Sequence, residues 1–222
     1  MAKTSTARRL DEAPPLSEAK PPVFGGGEPP APPPVRPNPP IGSNAWVATL
    51  MFLGAEAMFF AGLIGAYIVF RVGSAIWPPP FQPRLPVGIT GVNTLILIAS
   101  AVTMRWSLKA VRTNDRKKLV RWLVCTAALG GIFLFIQGFE WFRLIHFGLT
   151  VSSSVYGGLF YTLIGFHGLH VAGALIWLLV VLVQAKQGRF SRAHHVGVQI
   201  CGMYWTFVVA LWPVLYGLVY LY

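Results

Sequence analysis

Charge is scarce in this sequence: Asp, Glu, Lys and Arg make up 11% of its 222 residues, against about 25% in a water-soluble domain. With 55% hydrophobic residues, the chain cannot present a hydrated surface all round, and much of that surface faces lipid. Acidic side chains are scarcest, seven against eighteen basic ones, for a formal net charge of +11. That excess does not make a nucleic-acid surface, because the basic residues gather at the ends of apolar runs, where membrane topology signals lie. Only two cysteines occur, Cys125 and Cys201, both inside apolar runs and without CxxC or zinc-type spacing. This excludes a disulfide framework and reads as two ordinary buried thiols. The first forty residues hold no apolar core of the kind an export signal needs.

What those residues hold instead is proline, twelve of the chain's eighteen. Segments such as EPPAPPPVRPNPP form neither a core nor a regular helix. We read residues 1–42 as a disordered Pro-rich tail with local polyproline II, and residues 43–222 as one membrane domain.

A spanning helix needs about 20 mostly apolar residues. Five stretches qualify, at about 44–70, 87–108, 119–145, 156–184 and 196–222. The breaks are WPPPFQPRLP, the charge run KAVRTNDRKK, the small polar GLTVSSS, and the basic KQGRFSRAHH. The fold class is therefore all-α, a polytopic bundle of five transmembrane helices. Of the eighteen basic residues, fifteen fall in the tail and in or beside the second and fourth breaks, which five spans place on one side. Arg71, Arg84 and Arg143 fall on the other. The positive-inside rule then puts the N-terminus in the cytoplasm and the C-terminus in the periplasm.

Helices in lipid associate through small residues. Ala57, Ala61 and Gly65, with Gly54 and Gly62, are the expected contact stripe of the first span, and Gly165, Gly168 and Ala172 that of the fourth. Trp77 and Trp141 are the expected interface anchors.

Two carboxyls lie inside spans, Glu56 in the first and Glu140 in the third; the other five acidic residues lie in the tail or a loop. A carboxyl in hydrocarbon is paired, protonated or functional. The fourth span offers His167 and His170 in GFHGLHV, on one helical face. At about 1.5 Å per residue, Glu56 and His170 come to a similar depth, and Glu140 and His167 to another. The expectation is two carboxyl–imidazole pairs, Glu56 with His170 and Glu140 with His167, with Gln137 joining the second. Asn93 and Thr94 are candidates for bonds to a neighbouring helix. Two histidines on one face cannot grip a haem from both sides. His146, His194 and His195 flank the spans, so no third imidazole completes a copper site. No metal site and no catalytic residue is expected.

Several ordered segments resemble one family, subunit III of cytochrome c oxidase and related haem–copper oxidases. They are GAEAMFFAGLIGAYIVFR at 54–71, VNTLILIASAVTM at 92–104, LGGIFLFIQGFE at 129–140, YGGLFYTLIGFHGLHVAGALIWL at 156–178 and HHVGVQICGMYWTFVVALW at 194–212, with WPPP at 77–80. The resemblance implies an integral subunit of the bacterial inner membrane that carries no haem or copper, those groups residing on partner subunits, with bound phospholipid allowed. It implies direct packing on the catalytic subunit I, and company with subunit II, a small subunit IV or alternative complex III. It implies support of proton uptake and of lasting turnover in aerobic electron transport, within an oxidoreductase and translocase complex. Glu56 matches the family's buried carboxyl, Gln137 and Glu140 its Q-x-x-E, His167 and His170 its GFHGLHV, and His194 and His195 its paired histidines. The rival readings are an accessory subunit of a quinol oxidase or of nitric oxide reductase, and an independent proton or ion transporter.

Two departures stand out. Larger members have two further N-terminal spans, and here a Pro-rich tail stands in their place. The family's YWHFVD is here Tyr204-Trp205-Thr206-Phe207-Val208-Val209, and Gln199 stands where glutamate is frequent. Roles that need that histidine, aspartate or glutamate do not transfer.

Overall fold

A computed structural model describes residues 44–79, 85–192 and 194–221. The expected tail, and Arg84, lie outside the described residues. Five helices appear: α1 (Asn44–Gly73), α2 (Val87–Arg112), α3 (Arg116–His146), α4 (Val155–Lys186) and α5 (Val196–Tyr216), the last running into a π-helical turn, Gly217–Leu221. All five are long and apolar enough to cross a membrane.

The helices outrun the apolar stretches that announce them. The charge run after Leu108 is no loop: α2 continues to Arg112 and α3 begins at Arg116, leaving three linking residues. Charge ends the hydrocarbon-embedded stretch without ending the helix, because Lys and Arg are good helix formers. The turn itself is set by Asn114, whose φ of 58° is left-handed, a conformation asparagine tolerates. Asp115 then caps α3, accepting from the Lys118 backbone N–H at 3.0 Å. That bond, with the Lys118 ammonium, holds its carboxyl below the ordinary value of 3.8.

Helices α3 and α4 end in the same way as α2, with glycine in the left-handed position. Gly148 has φ 91° and Gly188 has φ 77°. In all three endings the next amide reaches back five residues, from Asp115 to Ala110, Leu149 to Leu144 and Arg189 to Gln184, at 3.0–3.1 Å. This is the Schellman pattern, which satisfies carbonyls that would otherwise be orphaned.

Helices α2–α5 form a closed ring: α2 packs on α3 and α5, α3 on α4, and α4 on α5, while α1 lies outside against α4 and α5. The centre is filled by Trp205, Trp212, Phe133, Phe160, Leu97 and Met104, all fully buried. Polar bonds tie the ring across helices. Trp205 Nε1 donates to Ser100 Oγ at 3.1 Å, Trp212 Nε1 to Thr94 Oγ1 at 2.8 Å, and Asn93 Nδ2 to the Phe133 carbonyl at 3.1 Å. Thr103 and Thr126 hydroxyls bond at 2.8 Å. Asn93 and Thr94 thus reach the neighbouring helices as their positions suggest. Of the cysteines, Cys201 is buried and Cys125 half-buried, and both are free thiols.

The expected small-residue stripe of α1 does not make the contact. Ala57 and Ala61 are exposed, and a Cβ added at Gly54, Gly62 or Gly65 would meet nothing within 4 Å. The packed face is Phe60 and Tyr67, both 1% exposed, with Leu53, Leu63 and Ile64 beside them. Large side chains win this face because α1 sits in an open groove between α4 and α5, which knobs fill better than a bare backbone. On α4 the expectation holds in part: Gly168 lies against the Trp141 ring, where a Cβ would approach to 3.1 Å, whereas Gly165 is open. The two expected rim tryptophans are half-buried and make contacts within the chain. Trp141 covers Gly168, and Trp77 packs edge-on against Tyr67 and Tyr156, with centroids at 5.7 and 5.2 Å.

Candidate functional site

Glu56 and His170 meet where α1 crosses α4. Their side chains are 18% and 17% exposed, and His170 Nε2 lies 2.8 Å from Glu56 Oε2. The other ring nitrogen, Nδ1, lies 2.6 Å from the Phe166 carbonyl one turn back. A carbonyl can only accept, so Nδ1 carries a hydrogen. Nε2 and the carboxyl face each other at hydrogen-bond distance and satisfy one another, which is what hydrocarbon demands of polar groups. Phe60 stands edge-on to His170 at 5.1 Å and Phe59 stacks at 6.2 Å, with Phe166 against Phe59 at 5.2 Å. The pair thus has apolar walls.

The second expected pair is not formed. Glu140, 4% exposed, is bonded by Arg143 Nη1 at 3.2 Å, one turn along its own helix. His167, 1% exposed, stacks on Trp212 at 4.9 Å between Phe60 and Phe133, and both its ring nitrogens are unpartnered among the described residues. A cation at i+3 on the same helix reaches Glu140 without any interhelical register, whereas His167 turns into the ring's centre. Gln137 does not join Glu140 either; its Nε2 donates to the Tyr220 hydroxyl at 3.3 Å.

Tyr220 is a partner that sequence reasoning missed. Pro213 removes a donor from the α5 ladder, the winding widens one turn later at Gly217–Leu221, and Tyr220 lands buried against α3. Arg71, at the end of α1, donates to the Leu218 carbonyl in this same turn at 3.3 Å. The signal available was the proline inside a span.

The paired histidines lie at the start of α5, away from Glu56. His195 is buried and its Nε2 accepts from Gln199 Nε2 at 3.1 Å, while His194 is exposed. Two of the residues that depart from the family's YWHFVD are satisfied within the chain: the Thr206 hydroxyl donates to the Gly202 carbonyl at 2.7 Å, and Val209 packs into the core. Among the described residues no group of three or more His, Cys, Asp or Glu is placed to hold a metal ion.

Fold and site together define a class: a multi-pass helical membrane protein whose two intramembrane carboxyls are each bonded within the chain. Comparison with known proteins narrows the class. The family model described as cytochrome c oxidase subunit III matches residues 41–222. The chain is 43% identical over 173 residues to the Synechocystis protein named cytochrome c oxidase subunit 3, covering 78% of this chain and 73% of that protein. It is 37% identical to the probable cytochrome c oxidase subunit 3 of Nocardia farcinica, and 36% identical to cytochrome c oxidase subunit 3 of Corynebacterium diphtheriae, each over 78% of this chain and 86% of the relative. The chain belongs to the cytochrome c oxidase subunit III family, the accessory subunit of haem–copper oxidases.

Proposed function

We propose that this chain is a non-redox subunit that sits directly against catalytic subunit I in the bacterial inner membrane, with its N-terminus in the cytoplasm, and sustains that subunit's proton uptake. Membership of the family makes it part of an oxidoreductase complex in association with catalytic subunits. The finer reading rests chiefly on the Glu56–His170 pair, which brings two ionisable groups together inside a span at 2.8 Å separation. A cytochrome c oxidase is favoured over a quinol oxidase or nitric oxide reductase because each relative above carries the cytochrome c oxidase name. Within the domain at 43–222, Glu56 and His170 would serve the proton. Glu140, Gln137, His167, His194 and His195 would hold the outer end, the core and the start of α5. Haem and copper would belong to the partners.

Purification through a tag on this chain tests the assignment. The expected result is a co-purified complex with a visible haem spectrum, and no such spectrum once the chain is separated from its companions. A chain that migrates alone, or that keeps stoichiometric haem after separation, would overturn it.

A further inference from the structure

Seven cations lie between Arg105 and Arg121, against one carboxylate, Asp115. The structure places three of them clearly. Arg116 donates through Nε and Nη2 to the Ala185 and Lys186 carbonyls at the end of α4. Lys118 closes on Asp115 at 3.0 Å. Lys109 is exposed and its ammonium makes no hydrogen bond or ion pair among the described residues.

Lys109 stands over a recess of about 310 Å³ between the ends of α2 and α3, lined also by Trp106, Ala110, Thr113, Lys118 and Trp122. The two indoles meet at 4.5 Å with planes tilted by 58° and form an apolar wall with polar N–H edges. From this recess an exposed apolar stripe runs back along α2. Leu95, Ile98, Val102 and Trp106 are 67%, 40%, 40% and 46% exposed, at intervals of three and four residues on one face. At 1.5 Å per residue the stripe is roughly 16 Å long, about half the hydrocarbon thickness of a bilayer.

We infer that this is a site for one anionic diacyl phospholipid, with a chain along the Leu95–Trp106 stripe, the glycerol region where Trp106 meets Trp122, and the phosphate at Lys109. Three features select that ligand. The length of the stripe fits one acyl chain in one leaflet. Tryptophan pairs sit at headgroup level. The surplus of six cations over carboxylates in this hairpin favours a net negative headgroup over a zwitterionic one. The neighbouring recess lined by Arg116, Lys117, Val120 and Lys186 has charge and no aromatic wall, and serves as the control.

The test uses the full chain in bilayer discs of equal phosphatidylglycerol and phosphatidylcholine, released into mild detergent for native mass spectrometry. The chain is expected to retain one phosphatidylglycerol in preference to phosphatidylcholine. Lys109→Gln should weaken that retention about fivefold, Trp106→Leu should weaken it further, and Lys186→Gln should leave it unchanged. Lys109 is exposed, so its variant retains the fold. Equal retention of the two lipids, no effect of Lys109→Gln, or displacement of the lipid by inorganic phosphate would overturn the inference.

Discussion

Gly130→Ala is expected to destabilise the bundle by about 1–3 kcal/mol, while the same change at the next residue, Gly131→Ala, leaves stability unchanged or slightly raised. The reason lies in what each Cβ would meet. At Gly130 it would enter the indole of Trp205, 2.9 Å from Cζ2, and at Gly131 it meets nothing within 4 Å. Trp205 cannot give way, because it is fully buried and its Nε1 is tied to Ser100 on α2. Overpacking against a rigid ring must therefore separate α3 from α5, and the intrinsic helical gain of alanine over glycine, up to about 1 kcal/mol, offsets only part of it. Thermal unfolding of the two variants in detergent checks this, and equal midpoints would show that Trp205 has room to move.

The second large effect concerns the Glu56–His170 pair. His170→Leu leaves Glu56 with no partner at the α1–α4 crossing, and the expected loss is about 1.5–3 kcal/mol, the worth of a hydrogen bond to a charged group. Replacing both residues by leucine should recover most of that loss, since two apolar side chains carry no desolvation penalty. A double-mutant cycle read by thermal unfolding separates the coupling from the cost of either change alone. Additive losses would mean that the 2.8 Å bond contributes nothing to holding α1 in place.

Much of this was legible in the sequence, for particular reasons. Five spans follow from apolar length, and the breaks after α3 and α4 from the polar GLTVSSS and the basic KQGRFSRAHH. The Glu56–His170 pair could be read from depth, because α1 and α4 are neighbours and each places one ionisable group near the same level. The same reasoning failed for Glu140 and His167. Depth fixes where along a helix a group lies and not which way it points. Glu140 had Arg143 one turn away as a local competitor, visible in the sequence and cheaper to reach. Tyr220 was hidden because the wider winding after Pro213 changes which residues share a face. The small-residue stripe on α1 misled because such a stripe marks where a backbone can be approached closely, and within this chain nothing approaches it.

The central claim is that Glu56 serves the proton and not the redox centres. Glu56→Gln in the assembled oxidase keeps a hydrogen-bonding side chain of the same shape while removing the carboxyl's ability to exchange a proton. The measurement is haem content together with oxygen consumption followed over sustained turnover. We predict haem per complex equal to the parent and a lower or faster-decaying rate. Haem lost from the complex, or a rate and lifetime identical to the parent, would contradict the account.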